Sequence, residues 1–256
     1  MTGARPFSAY VICTAPRSGS TLLCSLLRAT GVAGHPASHF HEPSVADWAE
    51  DHGVTPAPGE TRRELLARLF RAAQDTGRGG TGVFGLRLQR GSFDFFARQL
   101  AILHPRPAGD AQRMQSAFGP LLFLHLTRPD KLAQAVSYVM ATQTGLWHRA
   151  PDGRELERLS PPRAPAYDAA AIRARLDEMT AHDAAWRHWF ADQGITPLSV
   201  TYDDLTADPA ATLRRILAAL GQDPAAADGI TPGTARLADA TSADWVHRFR
   251  AEPSAQ

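Results

Sequence analysis

Hydrophobic and polar residues along the chain fall into two kinds of segment. Short apolar runs bounded by turn residues, at 10–14 and 121–126, predict buried parallel strands, and the alternation in 83–89 predicts another strand. The run "TPLSVTYDDL" at 196–205 predicts a further strand near the end of the chain. Elsewhere apolar residues recur at helical spacing. The predicted helices lie at 20–30, 62–75, 93–103, 130–144, 170–191 and 208–221.

This order of strands and helices determines the expected architecture. Strands that alternate with helices form a parallel sheet covered on both faces, so we predict an α/β fold with a central parallel sheet. The sequence shows no internal repeat and no clear linker, and 1–256 is predicted to be a single domain. Residues 149–165, rich in Pro, Arg and acidic residues, are predicted to form an exposed loop or lid.

Composition narrows the class of protein. The 256 residues carry a net charge of +1, which argues against a protein held on nucleic acid by bulk electrostatics. Cys13 and Cys24 fit no disulfide framework and no zinc spacing, which favours a reducing compartment. The chain shows no signal peptide, and no apolar stretch approaches the roughly 18 residues of a membrane span. We therefore expect a cytoplasmic protein.

The turn after the first predicted strand has the composition of an anion site. In "TAPRSGST" at 14–21, successive backbone N–H groups, hydroxyls and Arg17 stand at the start of a predicted helix, where phosphates bind. Gly19 lets the backbone approach a ligand closely. The loop is not the triphosphate-binding G-x-x-x-x-G-K-[ST], because serine follows Gly19 where lysine would stand. A tight turn that only caps the helix is the alternative.

A second candidate anion site follows the strand at 121–126. Arg128 comes directly after this strand, and Ser137 stands nine positions further on, within the next predicted helix. An ion pair with a helix carboxylate is the alternative for Arg128. Ligands of open α/β sheets bind beyond the carboxyl ends of the strands, so Arg17 and Arg128 are expected at one edge. Two anion sites at that edge indicate a nucleotide with phosphates at both ends of its ribose.

Three stretches together resemble one enzyme family. Their residues and their order along the chain are similar to those of the bacterial carbohydrate sulfotransferases of the trehalose 2-sulfotransferase type. The stretches are "TAPRSGSTLLCSLLRATGVAG", "HLTRPDKLAQAVSY" and "ADATSADWVHRF". The stretches "SHFHEPS", "FGLRLQ" and "QTGLWH" resemble the rhizobial lipopolysaccharide sulfotransferase branch. The similarity runs from about residue 10 to residue 250, which is nearly the whole chain.

The resemblance implies a P-loop-like three-layer fold and 3′-phosphoadenosine 5′-phosphosulfate as the sulfuryl donor. The residues it assigns to the 5′-phosphosulfate are Arg17, Ser18, Gly19, Ser20 and Thr21. Those it assigns to the 3′-phosphate are Arg128 and Ser137. It further implies in-line transfer to a saccharide hydroxyl of lipopolysaccharide or another glycolipid or glycan, with no metal ion. We further expect the protein to form a homodimer and to contact a lipid-linked acceptor. We expect no nucleic-acid partner.

Two other classes of function stay open at this point. A nucleotide-dependent kinase is disfavoured because the GK[ST] sequence and a Walker-B-like pair of acids are missing. A non-catalytic nucleotide-binding protein stays open because the resemblance implies a base glutamate at the position of Ser38, and serine is no general base.

The acceptor hydroxyl requires a general base, and "HPASHFHEP" supplies the candidates. Glu42, which resembles the "EP" acid of other carbohydrate sulfotransferases, is the predicted base, with His41 second and His39 third. Capping of a helix that starts near Ser44 is the alternative role of Glu42. These histidines lack the separated third ligand of a zinc site, so no metal is predicted.

Other residues are candidates for contacts to the ligands. Arg17 is predicted to stabilise charge on the leaving phosphate. Arg87, on a strand where family members often carry a basic residue, is predicted to contact the acceptor or the donor, with a surface ion pair as its alternative. Trp147 and His39 are candidates for sugar contacts. Trp245 and Arg248 are candidates for donor contacts, and core packing is the alternative for both tryptophans.

Overall fold

The computed structural model describes residues 7–233, 235 and 237–252. The strands are β1 (Ala9–Thr14), β2 (Phe84–Gln89), β3 (Leu121–Thr127), β4 (Leu146–Arg149), β5 (Glu155–Arg158) and β6 (Leu198–Thr201). The helices are α1 (Ser20–Ala29), α2 (Val45–Asp51), α3 (Arg62–Arg78), α4 (Arg90–Leu103), α5 (Asp110–Phe118), α6 (Lys131–Thr144), α7 (Ala169–Asp192), α8 (Tyr202–Ala207), α9 (Pro209–Ala219) and α10 (Ala240–Ala251). A short 3₁₀ helix, Pro224–Ala227, follows α9.

Four strands form one parallel sheet in the order β2-β1-β3-β6. β1 pairs in parallel with both β2 and β3, and β3 pairs in parallel with β6. The chain builds β2 on one side of β1 and then returns to build β3 on the other side. This reversal makes the carboxyl end of β1 the place where the connecting loops diverge and a crevice opens.

Helices cover both faces of this sheet. On β1, Val11 and Cys13 pack in a cluster with residues of α2, α3, α4, α5 and α7, whereas Tyr10 and Ile12 pack with α1 and α9. Alternate residues of a strand point to opposite faces, so the continuous apolar run of β1 is buried on both sides. The predicted α/β fold, with a central parallel sheet and helices on both faces, is confirmed.

The cysteines and two tryptophans of α7 lie in the core. Cys13 and Cys24 are buried and have free thiols. Trp186 and Trp189 stand at helical spacing on α7, and both are buried in the cluster that α7 shares with β1. Across the described ranges, no helix has both the length and the apolar character needed to cross a bilayer.

The structure corrects the prediction of a loop at 149–165. β4 and β5 form an antiparallel hairpin outside the main sheet, with His148 opposite Glu157. Gly145 precedes the hairpin with φ of 73°, and a Cβ there would lie 2.4 Å from the carbonyl oxygen of Ser160. β5 reads "ELER" and is mostly exposed, so it lacks the apolar alternation by which a strand is predicted. Residues 159–165 lie outside regular secondary structure and are mostly exposed, as expected.

Helix caps explain other differences from the predicted elements. Residues 202–205, predicted as strand, begin α8, because the Thr201 side chain accepts from the Asp204 amide immediately after β6. The hydrophobic pattern predicts neither α5 nor α10. α10 begins with a capping box between Asp239 and Ser242, a signal that lies in polar residues.

Candidate active site

A cavity of about 380 Å³ opens at the carboxyl ends of β1, β2 and β3. β1 is paired with both neighbours almost to its end, so the loops after β1 and β3 leave the sheet side by side. The predicted site residues that line the cavity are Arg17, Gly19, Ser20, Thr21, His41, Arg87, Arg128, Ser137 and Trp147. Residues from distant segments of the chain therefore meet at one site.

The loop between β1 and α1 leaves a helix N-terminus uncapped at the cavity. Gly19 is the N-cap of α1 with φ of 87°, and no side chain among the described residues caps this end. The first amides of α1 are therefore left to water or a ligand. A Cβ on Gly19 would lie 2.6 Å from Cδ2 of Tyr202, so glycine is required there. These features favour an anion site over a turn that only caps the helix.

Ser18 holds this loop against the end of β1. Its hydroxyl is buried, and Ser18 Oγ lies 2.6 Å from Oγ1 of Thr14. Thr14 Oγ1 also lies 2.9 Å from the Leu126 carbonyl oxygen, to which it donates. The loop after β1 is thereby tied to the end of β3. Ser18 is not among the residues that line the cavity, so its contact with the phosphosulfate stays a prediction.

Arg17 connects the two predicted anion sites. Its Nε donates to Ser137 Oγ over 3.0 Å, and Nη1 donates to the carbonyl oxygen of Trp147 over 2.8 Å. Burial, and then the positive charge of Arg128, lower the pKa of Arg17 to about 10, which leaves the guanidinium charged at neutral pH. The two cations repel each other, and an anion bound beside both would relieve that repulsion.

Arg128 is buried where the chain leaves β3. Its guanidinium carbon lies 4.6 Å from the ring centre of Tyr202, a cation–π contact. Tyr202 therefore packs against Arg128 and also limits the space at Gly19. Sequence reasoning missed Tyr202. Its position directly after a parallel strand, at the same edge of the sheet as Arg128, is the signal that could have found it.

Arg87 reaches the loop from β2. Its Nε donates to Ser38 Oγ over 2.7 Å, and Nη1 donates to Thr21 Oγ1 over 2.9 Å. The Arg87 amide donates to the Ala37 carbonyl oxygen over 2.9 Å, which holds the segment of Ser38 beside β2. The side chain is half-buried in the cavity rather than paired on the surface. The hydroxyl of Ser38 is thus a partner of Arg87.

His41 and Glu42 lie at or near the cavity mouth. His41 lines the cavity, its side chain is 55% exposed, and its Nε2 lies 3.7 Å from Glu42 Oε1. Glu42 is not among the residues that line the cavity, and its side chain is also largely exposed. The cap of α2 is Ser44, whose side chain accepts from the Asp47 amide, so Glu42 does not have that alternative role.

His39 is buried away from the cavity. Its ring stacks on Phe84 with the centres 5.8 Å apart. Burial, and then the neighbouring His52, lower the pKa of His39 to about 4. The predicted roles of His39, as a sugar contact or a third candidate base, therefore need a correction: it is a core histidine, because the sheet end around Phe84 encloses it.

Of the candidate ligand contacts Trp147, Trp245 and Arg248, only the first lines the cavity. Trp147 lines the cavity and stands edge-on to Tyr138, with the ring centres 5.5 Å apart. Trp245 is buried against Tyr167 in a cluster that includes α6, and Arg248 stacks 4.0 Å above the same Tyr167 ring. Trp245 and Arg248 do not line the cavity. Core packing therefore accounts for Trp245, and the tyrosine ring accounts for the position of Arg248.

Two cavity residues from the hairpin were not predicted. His148 and Glu157 both line the cavity, and His148 Nε2 lies 3.4 Å from Glu157 Oε2. Burial, then the charge of Arg17 and then that of Arg87 lower the pKa of His148 to about 4. The stretch "TGLWH" includes His148, but only knowledge of the hairpin register pairs it with Glu157.

The chemistry of the cavity is that of a polyanion site with an adjacent neutral imidazole. Three guanidinium groups, the open end of α1 and several hydroxyls can bind a ligand with more than one anionic group. Over the ranges that the structure describes, no group of three or more His, Cys, Asp or Glu side chains is arranged to hold a metal ion.

Comparisons with known proteins agree with this chemistry. Residues 9–252 match the family of Stf0 sulphotransferases. The chain is 32% identical over 273 residues to a trehalose 2-sulfotransferase of Mycobacterium tuberculosis, with 97% of each protein covered. It is 33% identical over 261 residues to a trehalose 2-sulfotransferase of Mycolicibacterium smegmatis, with 95% of this chain and 94% of that protein covered. A sulfotransferase domain from the Synechococcus PCC 7002 olefin synthase superposes with a TM-score of 0.46 at 15% identity, over 96% of this chain and 87% of that one. Since the family match and both trehalose 2-sulfotransferases span nearly the whole chain, this protein belongs to the Stf0 sulphotransferase family.

Proposed function

We propose that the protein transfers the sulfuryl group of 3′-phosphoadenosine 5′-phosphosulfate to a saccharide hydroxyl. The observation that carries this proposal is the link from Arg17 to Ser137, with Arg128 beside it, at the open N-terminus of α1. A donor with anionic groups at the 5′ and 3′ ends of one ribose matches two such cationic sites in one cavity. The 5′-phosphosulfate would occupy the loop from Arg17 to Thr21, and the 3′-phosphate would contact Arg128 and Ser137.

In sulfuryl transfer, as in phosphoryl transfer, the protein mainly positions the reactants and stabilises the charge that develops. Arg17 and the first amides of α1 would bind the phosphate that leaves. Arg87, held on Thr21 and Ser38, would act on the oxygens of the transferred group. Each of these groups is a cation or a hydrogen-bond donor at the cavity, and none requires a metal ion in the proposed reaction.

A saccharide acceptor is supported by the family and by the side of the cavity that Trp147 and His41 line. Aromatic rings such as Trp147 suit the apolar faces of sugars. The two relatives are named for transfer to trehalose. For this chain we propose lipopolysaccharide or another glycolipid or glycan, on the resemblance of "SHFHEPS" and "QTGLWH" to the rhizobial branch. A lipid-linked acceptor would contact the exposed residues 159–165.

Calorimetric titration with 3′-phosphoadenosine 5′-phosphate, without metal, tests the donor site. We expect tight binding by the wild type, weak binding of ATP, and a loss of about tenfold or more in affinity in Arg17→Ala and Arg128→Ala, since each removes a charged hydrogen-bond donor. Arg214→Ala is the matched control, because Arg214 pairs with Asp228 on the surface outside the cavity. Preferential binding of ATP with Mg²⁺, or no effect of either cavity arginine, would contradict the proposed donor.

Other parts of the proposal concern the protein as a whole. A single domain over 1–256, a homodimer and a cytoplasmic location stay predictions. Light scattering on the purified chain checks the homodimer, and a monomer at all concentrations would contradict it. Cell fractionation checks the location.

A further inference from the structure

The β4–β5 hairpin brings an imidazole and a carboxylate together at the cavity. His148 on β4 and Glu157 on β5 are register partners, and His148 Nε2 lies 3.4 Å from Glu157 Oε2. Both residues line the cavity that Arg17 and Arg87 line. Neither has a role in the donor site described above. A histidine oriented by a carboxylate, in a site where a proton must be removed, has the composition of a general base with its partner.

The link between this pair and the donor site is short. Arg17 Nη1 donates to the carbonyl oxygen of Trp147, the residue before His148, over 2.8 Å. The guanidinium that would bind the leaving phosphate therefore also holds the backbone that carries the imidazole. His148 lines the same cavity as Arg17 and Arg87, the two cations that would flank the transferred group, and burial, followed by their charges, lowers its pKa.

The other candidates for the base are less well placed. By the resemblance to trehalose 2-sulfotransferases, Ser38 stands where their base glutamate is expected, and its hydroxyl accepts from Arg87. His39 is buried in the core. Glu42 does not line the cavity, and His41 is 55% exposed, compared with 24% for the side chain of His148. Partial burial shields a base from solvent while the cavity keeps it accessible to the acceptor.

We propose that His148 is the general base that removes the proton of the acceptor hydroxyl and that Glu157 is its positioning residue. This inference rests on the proposed sulfuryl transfer. In this proposal Nε2, 3.4 Å from Glu157 Oε2, carries the hydrogen, and Nδ1 accepts the proton. As the acceptor oxygen bonds to sulfur, the bond from sulfur to the bridging oxygen of the 5′-phosphate breaks. Its electron pair leaves with the bisphosphate, and the imidazolium formed lies beside the Glu157 carboxylate.

The charges that face His148 from each neighbouring element support this assignment. They are Arg17 on the loop after β1, Arg87 on β2 and Glu157 on β5. In the free protein, burial and the two arginines keep the pKa of His148 near 4, so the ring is neutral and ready to accept a proton. A bound phosphosulfate would offset both guanidinium charges, and the proton affinity of His148 would rise when the donor is in place. The base would therefore be strengthened by the reactant it serves.

Transfer from 3′-phosphoadenosine 5′-phosphosulfate to lipopolysaccharide, the acceptor proposed above, and to trehalose, the acceptor in the names of both relatives, tests the assignment. We expect His148→Gln to lower kcat by about 100-fold to 10,000-fold, the range for loss of a general base, with bisphosphate affinity nearly unchanged. Glu157→Gln is expected to lower kcat and to move the acidic limb of the pH profile to lower pH, a shift that a merely structural role would not cause. Ser38→Glu in the His148→Gln background is expected to restore part of kcat by returning a carboxylate to the aligned position.

His188→Gln is the matched control, because His188 forms a similar pair with Asp192 at 3.2 Å on the exposed face of α7. Full activity of His148→Gln with intact bisphosphate binding would overturn the inference and leave the proposed function standing. The same outcome would follow if Glu42→Gln or His41→Gln caused the large loss instead. Failure of the wild type to bind the bisphosphate would overturn the proposed function itself, and with it the inference.

A second measurement needs no acceptor. NMR chemical shifts of the imidazole nitrogens, followed as the pH changes, give the pKa of each histidine. The signal that is missing from the spectrum of His148→Gln is the signal of His148. We expect its pKa to lie below 6.5 in the free protein and to rise when 3′-phosphoadenosine 5′-phosphate is added. A pKa unaffected by the bound bisphosphate would show that His148 is outside the field of the donor site, and would overturn the inference.

Discussion

Arg17 Nε donates to Ser137 Oγ over 3.0 Å, so a residue of the loop after β1 is bonded to one on α6, 120 positions later in the chain. The guanidinium is therefore held in place before any ligand binds. Fixing a long side chain in its bound position reduces the ordering cost of association. The same bond makes Ser137 a support of Arg17 as well as a candidate phosphate contact.

Ser137→Ala is expected to weaken binding of the bisphosphate. A hydrogen bond to a charged group contributes about 1.5–3 kcal/mol, which corresponds to a loss of about tenfold or more in affinity. Calorimetry on the variant measures this loss. Ser116→Ala is the control, because Ser116 lies on the exposed side of α5 outside the cavity, where its hydroxyl donates to the Gln112 carbonyl oxygen. Equal affinities of Ser137→Ala and wild type would show that Ser137 contributes nothing to the site.

Gly19→Ala is expected to cost both stability and binding. Its φ of 87° disfavours any Cβ by about 1–2 kcal/mol, and the added methyl would meet Tyr202 Cδ2 at 2.6 Å. Gly153→Ala separates the two effects, since Gly153 has φ of 88° and open space around its Cα. Both variants should unfold at lower urea concentration, but only Gly19→Ala should also lose bisphosphate affinity. Loss of affinity in both would point to global instability instead.

Arg87→Gln is expected to act on transfer more than on bisphosphate binding. The bisphosphate lacks the sulfuryl group, and Arg87 reaches the loop at Thr21 rather than at Ser137. Loss of one preorganised donor to a developing charge lowers kcat by about 100-fold or more. Transfer assays and calorimetry on the same variant compare the two effects, with the exposed Arg71→Gln as control. A larger effect on bisphosphate affinity than on kcat would place Arg87 at the leaving phosphate.

Asp183→Asn is expected to destabilise the fold in a pH-dependent way. Thr127 Oγ1 donates to Asp183 Oδ1 over 2.7 Å, and Arg187 Nη1 donates to Oδ2 over 2.6 Å. Burial acts to raise the pKa of Asp183, but His125, Thr127 and Lys131 outweigh it, and the pKa falls well below its ordinary value. A carboxyl group whose pKa is lowered by folding stabilises the folded state at pH values above its unfolded pKa of about 3.9. This stabilisation is lost as the pH falls towards the folded pKa.

Urea unfolding of this variant at two pH values checks the sign. At pH 7 we expect a loss of about 2 kcal/mol in the free energy of unfolding, less than for a fully buried pair because the Arg187 side chain is 62% exposed. Below pH 4 the difference from wild type should shrink. Asp192→Asn, in the exposed pair with His188, should change little at either pH. A difference that stays constant down to acidic pH would show that the ionised form of Asp183 contributes no stability.

How far the sequence predicts the molecule depends on which interactions fix each part. β1 and β3 were predictable, because a parallel strand buried on both faces must be apolar throughout. The loop at Arg17 was predictable as well, since its glycine and hydroxyls serve the ligand and the backbone locally. Arg128 was predictable at the same edge as the loop after β1, because the carboxyl ends of parallel strands lie at one edge of the sheet.

The parts that were missed depend on contacts between distant residues. Nothing local marks Glu157 as a partner of His148, because the charged strand β5 pairs only through hairpin geometry. The burial of His39 depends on Phe84, from another element of the chain. The helical start at Tyr202 was hidden in an apparent strand, because one threonine cap outweighed the propensity of the preceding residues.

The hairpin stands apart from the main sheet, and this division of the scaffold has an evolutionary consequence. The donor loop is anchored in strands whose register the core determines, and changes there would disturb the packing of both faces. Among the strands that the structure describes, β4 and β5 pair with each other and not with the main sheet, and β5 is mostly exposed. Substitutions or exchanges in this ribbon can therefore accumulate at little cost to folding. If the hairpin contacts the acceptor as proposed, changes in it other than at His148 and Glu157 would alter acceptor preference without disturbing the main sheet.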